Sequence, residues 1–257
     1  MVVELDGKPT LAELLPPREG EMLDVVALSA PDALEDYLID HGFKRIAKRL
    51  NRTGVIDMVG TAAPGIDDVV VLGKIKQFEQ SGNWDLVVVD GPAAGHAVTF
   101  LTSASGLADA VRGGPIKTQC DDVLELLGDP ERCMALLVTL PETTPVNETI
   151  ETAFALEDDV GIRLGPVVVN GVDVGSDLPD DIDDAISAAG LDAETADVLR
   201  SAAAFRTSRR AMESEALRRL STGLPLGQLM IEALPTAGLT AEDIDRLANT
   251  FLEGPDA

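Results

Sequence analysis

The chain has 257 residues, of which 45% are apolar and only 3% aromatic, so a sizeable core must be built from Val, Leu, Ile and Ala. Forty-five acidic side chains against twenty basic ones give a formal charge of −25. Nucleic-acid phosphate and anionic lipid are repelled, and no nucleic-acid partner is expected. The sequence contains neither an apolar run of about 18 residues nor a basic-then-apolar leader, so direct membrane insertion is not expected and a cytoplasmic location is. Cys120 and Cys133 stand too far apart for a C-x-x-C pair and read as two free thiols.

In chain order, "VVEL" from Val2 predicts a strand, and "DGKPTLAELL" predicts a turn and a short helix. Met22 to Ser29 predicts a second strand. Pro31 to Leu50 predicts one helix, with Pro and Asp at its start and basic residues at its end, the polarity a helix macrodipole favours. His41 reads as a surface residue of that helix. A loop follows, and then a helix with Ile66, Val69, Val70, Leu72 and Ile75 on one apolar face. Its Lys74 and Lys76 read as a solvated pair.

Leu86 to Val89, four apolar residues in a row, predict a strand covered on both faces and ending at Asp90. "GGPIKT", Gly113 to Thr118, reads as a loop with a solvated Lys117, and "CDDVLELLGDPERC" as a helical region. "CMALLVTLP" predicts a strand, "NETIETAFALEDDVGI" a helix capped by Asn147, and "GPVVVNGV" a buried strand reaching Asn170. The polar segment 173–223 reads as helical, "LPLGQLMIEALP" holds a last strand, and "LTAEDIDRLANTFLEG" is a capped closing helix. Strands separated by helix-length segments predict right-handed crossovers and a mainly parallel α/β sheet.

Asp90 invites a functional reading. It stands at the carboxyl end of a strand, the edge where open α/β sheets bind ligands, and Gly91 and Gly95 lack a Cβ, so backbone N–H groups can approach an anion. A carboxylate that holds the water shell of Mg²⁺, beside amides that meet a phosphate, suits a nucleotide site. An Asp in this position also serves as a helix cap or turn residue, and the residues alone leave both readings open.

Four stretches in order, "APGIDDVVVLGKIKQF", "DLVVVDGPAAGHAVTFL", "LLVTLPETTPVNETIETAFAL" and "GIRLGPVVVNGV", together resemble the ArsA-like anion-transporting ATPases. This is the P-loop NTPase family that includes the arsenite-pump and tail-anchored-protein targeting ATPases, and the likeness is greatest to bacterial members that work in pairs. "DGPAAGH" resembles the second switch of that family, D-T-A-P-T-G-H, with Asp90, Gly95 and His96 in register and Gly91 to Ala94 departing from it. "DGKPTLAELL" resembles the first switch, D-P-A-H-x-L, through Asp6 and Leu11, with Gly7 where the family has Pro.

The resemblance implies a three-layer, mainly parallel sheet flanked by helices, forming one domain over 1–257 with helical elaborations near 97–132 and 173–223. It implies ATP and Mg²⁺ as cofactors. Asp90 would hold Mg²⁺ through water, Asp6 would orient the attacking water, and Gly91, Gly95 and His96 would meet the phosphate. Asn170 would read the adenine edge, with Pro235 lining the same pocket, because an amide both donates and accepts. ATP or ADP would be the small-molecule partner.

A P-loop NTPase requires G-x-x-x-x-G-K-[ST], whose backbone wraps the phosphates while the Lys neutralises them, and the 257 residues contain no such run. The resemblance therefore leads one to expect a domain lacking the family's first strand, P-loop and first helix. Two expectations stay open. Either an upstream segment carries the loop and the protein hydrolyses ATP, or this chain is a non-catalytic subunit. As a subunit it would form a heterodimer with a P-loop-bearing paralogue; the enzyme reading also admits a homodimer. In both cases the 257-residue chain alone is expected to be inactive.

Overall fold

The computed structural model describes residues 1–5, 10–15, 23–53 and 65–253. The chain divides into two compact units, Met1–Ala135 with Thr152–Leu164 and Leu136–Glu151 with Gly165–Ala257. Its first elements are β1 (Val2–Glu4), α1 (Leu11–Leu14), β2 (Val25–Ala27), α2 (Ala30–Asp40), α3 (Lys44–Thr53), α4 (Ile66–Gln80) and β3 (Val88–Asp90). Then come α5 (Ala94–Ala110), α6 (Pro115–Gly128), β4 (Met134–Ala135), β5 (Val138–Thr139) and α7 (Thr143–Ala155). A π-helical turn over Leu156–Val160 leads to β6 (Arg163–Leu164), β7 (Val167–Val172), α8 (Ile182–Ala188), α9 (Ala193–Gly223), β8 (Gln228–Glu232) and α10 (Ala241–Glu253).

In the first unit β1 is the central strand, paired in parallel with β2 on one side and β3 on the other. Val3, Leu28, Ala33, Leu34, Val70 and Val71 form its core, and Val87 and Val89 pack against them. The short strands β4 and β6 pair in parallel as a separate ribbon. In the second unit β7 is central, between β5 and β8, again with parallel pairing throughout. Val167, Val168 and Val169 are buried there, as the run of valines predicts, and Leu229 and Ile231 of β8 are buried with them. The α/β class with parallel sheets and flanking helices holds.

Several local expectations are corrected. The helix expected over 31–50 is two helices, because Gly42 adopts φ +85° and Phe43 N–H turns back to donate to the Leu38 carbonyl at 2.7 Å. His41 stays at the surface at the C-cap of α2, its ring centroid 4.1 Å from that of Tyr37. Lys74 and Lys76 are not solvated: α4 packs against both α2 and α6, so Lys74 Nζ donates to Asp36 and Lys76 Nζ to Asp122, each at 2.6 Å. Lys117 belongs to the first turn of α6 and pairs with Asp121 one turn on, because Pro115 starts the helix.

The strand at "CMALLVTLP" is interrupted, its halves β4 and β5 pairing with different partners. Helix α7 starts at Thr143, four residues before the expected cap, because Pro145 is tolerated in a first turn. Asn147 therefore sits inside the helix, with a buried Oδ1 that has no hydrogen-bond partner among the described residues. The strand before Asp90 is covered on one face only. Val87 and Val89 turn to the core while Leu86 and Val88 are 68% and 48% exposed, and among the described residues β3 is an edge strand of its sheet.

Candidate functional site

The register of β1 and β3 sets Glu4 beside Asp90, so the segments leaving both strands start next to one another at the carboxyl edge of the first unit's sheet. Asp90 is exposed, and among the described residues no hydrogen bond or ion pair engages its carboxylate. Four residues later α5 begins. Its N-cap, Ala93, offers no side-chain acceptor and no acidic residue occupies the first turn, so among the described residues the leading N–H groups of this 17-residue helix have no side-chain cap. Gly95 and His96 lie in that first turn, both exposed.

Backbone crowding does not explain the glycines, since a Cβ at Gly91 or at Gly95 would meet nothing within 4 Å. The open space leaves room for a group to approach the backbone. A carboxylate followed at once by the positive end of an uncapped helix fits a metal-bound phosphate: the amides and helix dipole favour the anion while Asp90 favours its cation. Asp6 and Gly7 lie outside the described residues, so their geometry does not enter.

Glu4 was not singled out by the sequence, where it reads as one polar position in a strand. It is 3% exposed, and its Oε1 accepts from Thr10 N–H at 3.0 Å, Thr10 Oγ1 at 3.1 Å and Leu11 N–H at 2.9 Å. Glu4 thus fastens the start of α1 to the end of β1.

In the second unit Asn170 lies exposed near the end of β7, where the pairing with β8 becomes irregular and Gly171 takes φ +78°. A cleft of about 290 Å³ opens there, lined by Asn170, Gly171, Glu232, Leu234, Thr236 and Leu247 among others. Pro235 lies between two lining residues without itself lining the cleft. Arg246 donates to Glu232 at 2.7 Å, which holds the carboxylate at this wall.

Residues 36–113, which carry Asp90, Gly91, Gly95 and His96, match the family described as anion-transporting ATPase. The chain is 29% identical over 190 residues to the ATPase BagA of Mycobacterium tuberculosis and to a provisionally named ATPase of Mycobacterium bovis. It is 27% identical over 181 residues to a protein of Halobacterium salinarum provisionally named an arsenical pump-driving ATPase. The family match and these relatives together support membership of the ArsA-like ATPase family.

The overlap covers 66% of this chain and 55% of each mycobacterial relative, so the chain spans about half the length of those relatives. For the Halobacterium protein the shares are 63% and 27%. The described residues contain no group of three His, Cys, Asp or Glu side chains placed to hold a metal. Mg²⁺ does not require one, because it is commonly held by one or two carboxylates together with water and phosphate. Among the described residues no helix is long and apolar enough to cross a membrane.

Proposed function

We propose that this chain is the switch-bearing part of an ATP-binding, ATP-hydrolysing ArsA-like protein that works with Mg²⁺. Asp90 holds the metal through water, Asp6 orients the attacking water, Gly91, Gly95 and His96 surround the terminal phosphate, and Asn170 reads adenine with the loop at Pro235 beside it. Bound Mg²⁺ supplies charge neutralisation to the phosphates. The observation that carries this reading is the parallel β1–β3 pair, which starts the Asp6 and Asp90 segments side by side, with the uncapped N-terminus of α5 immediately after Asp90.

Phosphoryl transfer depends on positioning and on electrostatic stabilisation, and a P-loop supplies much of both. The 257 residues contain no such loop. On this reading it comes from further residues of the same polypeptide or from a partner chain, in a homodimer or a heterodimer. In a second reading the chain is a non-catalytic subunit that lends its switch segments to a P-loop-bearing paralogue.

The test is ATP turnover and nucleotide titration with Mg²⁺, on the 257-residue chain, on an N-terminally extended chain, and on the chain mixed with a P-loop-bearing homologue. The chain alone is expected to stay at background. With the loop supplied, turnover is expected, and Asp90→Asn should lower it about a hundredfold or more. Turnover by the chain alone, or full turnover in the Asp90→Asn variant, would overturn the proposal. Stable co-purification with the homologue, whose own turnover then ignores Asp90→Asn, would favour the subunit reading.

A further inference from the structure

Glu4 carries a feature that its tethering role does not use. Oε1 takes all three donors, whereas Oε2 is buried with no hydrogen-bond partner among the described residues. A carboxylate oxygen withdrawn from water and left without a donor is unfavourable unless something positive meets it. The parallel register brings Asp90 alongside on the neighbouring strand, and register partners in a sheet present their side chains to the same face. Two acidic residues are therefore register partners on one face at the strand ends, and among the described residues neither is engaged by Lys, Arg or His.

We infer that Glu4 and Asp90 form a paired-carboxylate site for a divalent cation of the Mg²⁺ type, with Glu4 Oε2 as its buried ligand. Hard cations take oxygen ligands, and Mg²⁺ accepts one or two carboxylates while keeping several waters. The same side chain would then do two things at once. Oε1 fixes the start of α1 to the end of β1, and Oε2 meets the metal, so that helix start and the cation site are linked through one residue. The inference rests on the reading of Asp90 as the metal's carboxylate and adds to it a second ligand from β1.

Mn²⁺, followed by loss of its free electron-paramagnetic-resonance signal, is the probe, titrated without nucleotide into the full chain and into Glu4→Gln, Asp90→Asn and Glu4→Gln/Asp90→Asn. Gln keeps the shape and an acceptor for Thr10 and Leu11, and thermal unfolding in chelator checks that each variant folds. An Asp36→Asn variant, away from the pair on α2, controls for general attraction to an acidic protein. Each single change is expected to weaken the tightest Mn²⁺ site by about tenfold or more, the double change to do little beyond either single one, and Asp36→Asn to leave it alone. A folded Glu4→Gln chain that binds Mn²⁺ as the parent does would overturn the inference. The outcome separates from the ATPase reading: Mn²⁺ bound at the pair in a protein that never binds nucleotide sinks only that reading. Mg²⁺-dependent nucleotide binding that Glu4→Gln leaves untouched sinks only the paired site.

Discussion

Arg206 grips Asp173 with both prongs of its guanidinium, Nε and Nη2 donating to the two carboxylate oxygens at 2.7 and 2.8 Å. The pair ties the segment leaving β7 to the middle of α9. Buried Glu213 adds to the tether by accepting from Asp173 N–H at 3.3 Å, while Arg209 donates to its other oxygen at 2.9 Å. The hydrogen bonds from Arg206 hold the Asp173 carboxyl well below the usual carboxylate range. The native state therefore keeps this group ionised to lower pH than the unfolded chain does. Its stabilisation is complete above about pH 4 and fades as pH falls toward the native pKa. Asp173→Asn should cost about 1–2 kcal/mol at pH 7 and progressively less as pH falls below about 4, measured by denaturant unfolding. Arg206→Lys should lose much of the same amount, because a point-like ammonium cannot reproduce the fork.

Lys76 is 7% exposed yet charged, and its hydrogen-bonded ion-pair partner is Asp122 on α6. Removing one member of a buried pair strands the other, and the cost falls on the more buried group. Asp122→Asn should destabilise by about 1–3 kcal/mol, less than for a fully enclosed pair because the Asp122 side chain is 44% exposed. Lys76→Met should be about neutral or mildly stabilising, since it replaces a desolvated charge with an apolar chain of similar length. Urea midpoints of the two variants check the asymmetry; equal losses would place the contribution in packing instead.

The parallel α/β class was legible because strand and helix periods alternate along the chain, and the Asp90 segment was legible because four apolar residues precede Asp and Gly. What escaped depends on neighbours distant in sequence. Four apolar residues in a row carry no alternation, so nothing local marks Leu86 and Val88 as the bare face of an edge strand. The charge on Lys76 is buried only because α4 has helices on both flanks. Gly42 interrupts a pattern that stays helical on either side, and a single glycine there is often tolerated. Glu4 gave no signal at all: its role arises from the fold bringing Thr10 and Leu11 back over the end of β1 and from the register with Asp90.

The proposed base contact makes Asn170 the residue to test in the second unit. It lines the cleft beside Glu232, and a side-chain amide can donate to and accept from an adenine edge together. Asn170→Ala is expected to weaken ATP binding by about tenfold to a hundredfold once the phosphate-binding loop is supplied, the loss of one or two hydrogen bonds. Preference for adenine over guanine nucleotides should narrow in parallel. Competition titrations with ATP and GTP measure both, and an unchanged preference would remove Asn170 from the base site.

Gly73 of α4 faces Gln119 of α6 closely: a Cβ built on it would lie 1.3 Å from Nε2 and 2.5 Å from Cδ of buried Gln119. Gly73→Ala therefore expels the Gln119 amide from its place. Overpacking of this kind costs about 1–3 kcal/mol, and Ala returns up to about 1 kcal/mol through its better helix propensity. The expected result is a net destabilisation of about 1–2 kcal/mol. Gln119→Ala removes the colliding atoms, so the double variant Gly73→Ala/Gln119→Ala should be more stable than the sum of the two single changes by about 1 kcal/mol. Additive losses in denaturant unfolding would show that Gln119 swings aside at little cost and that Gly73 is not needed for helix contact.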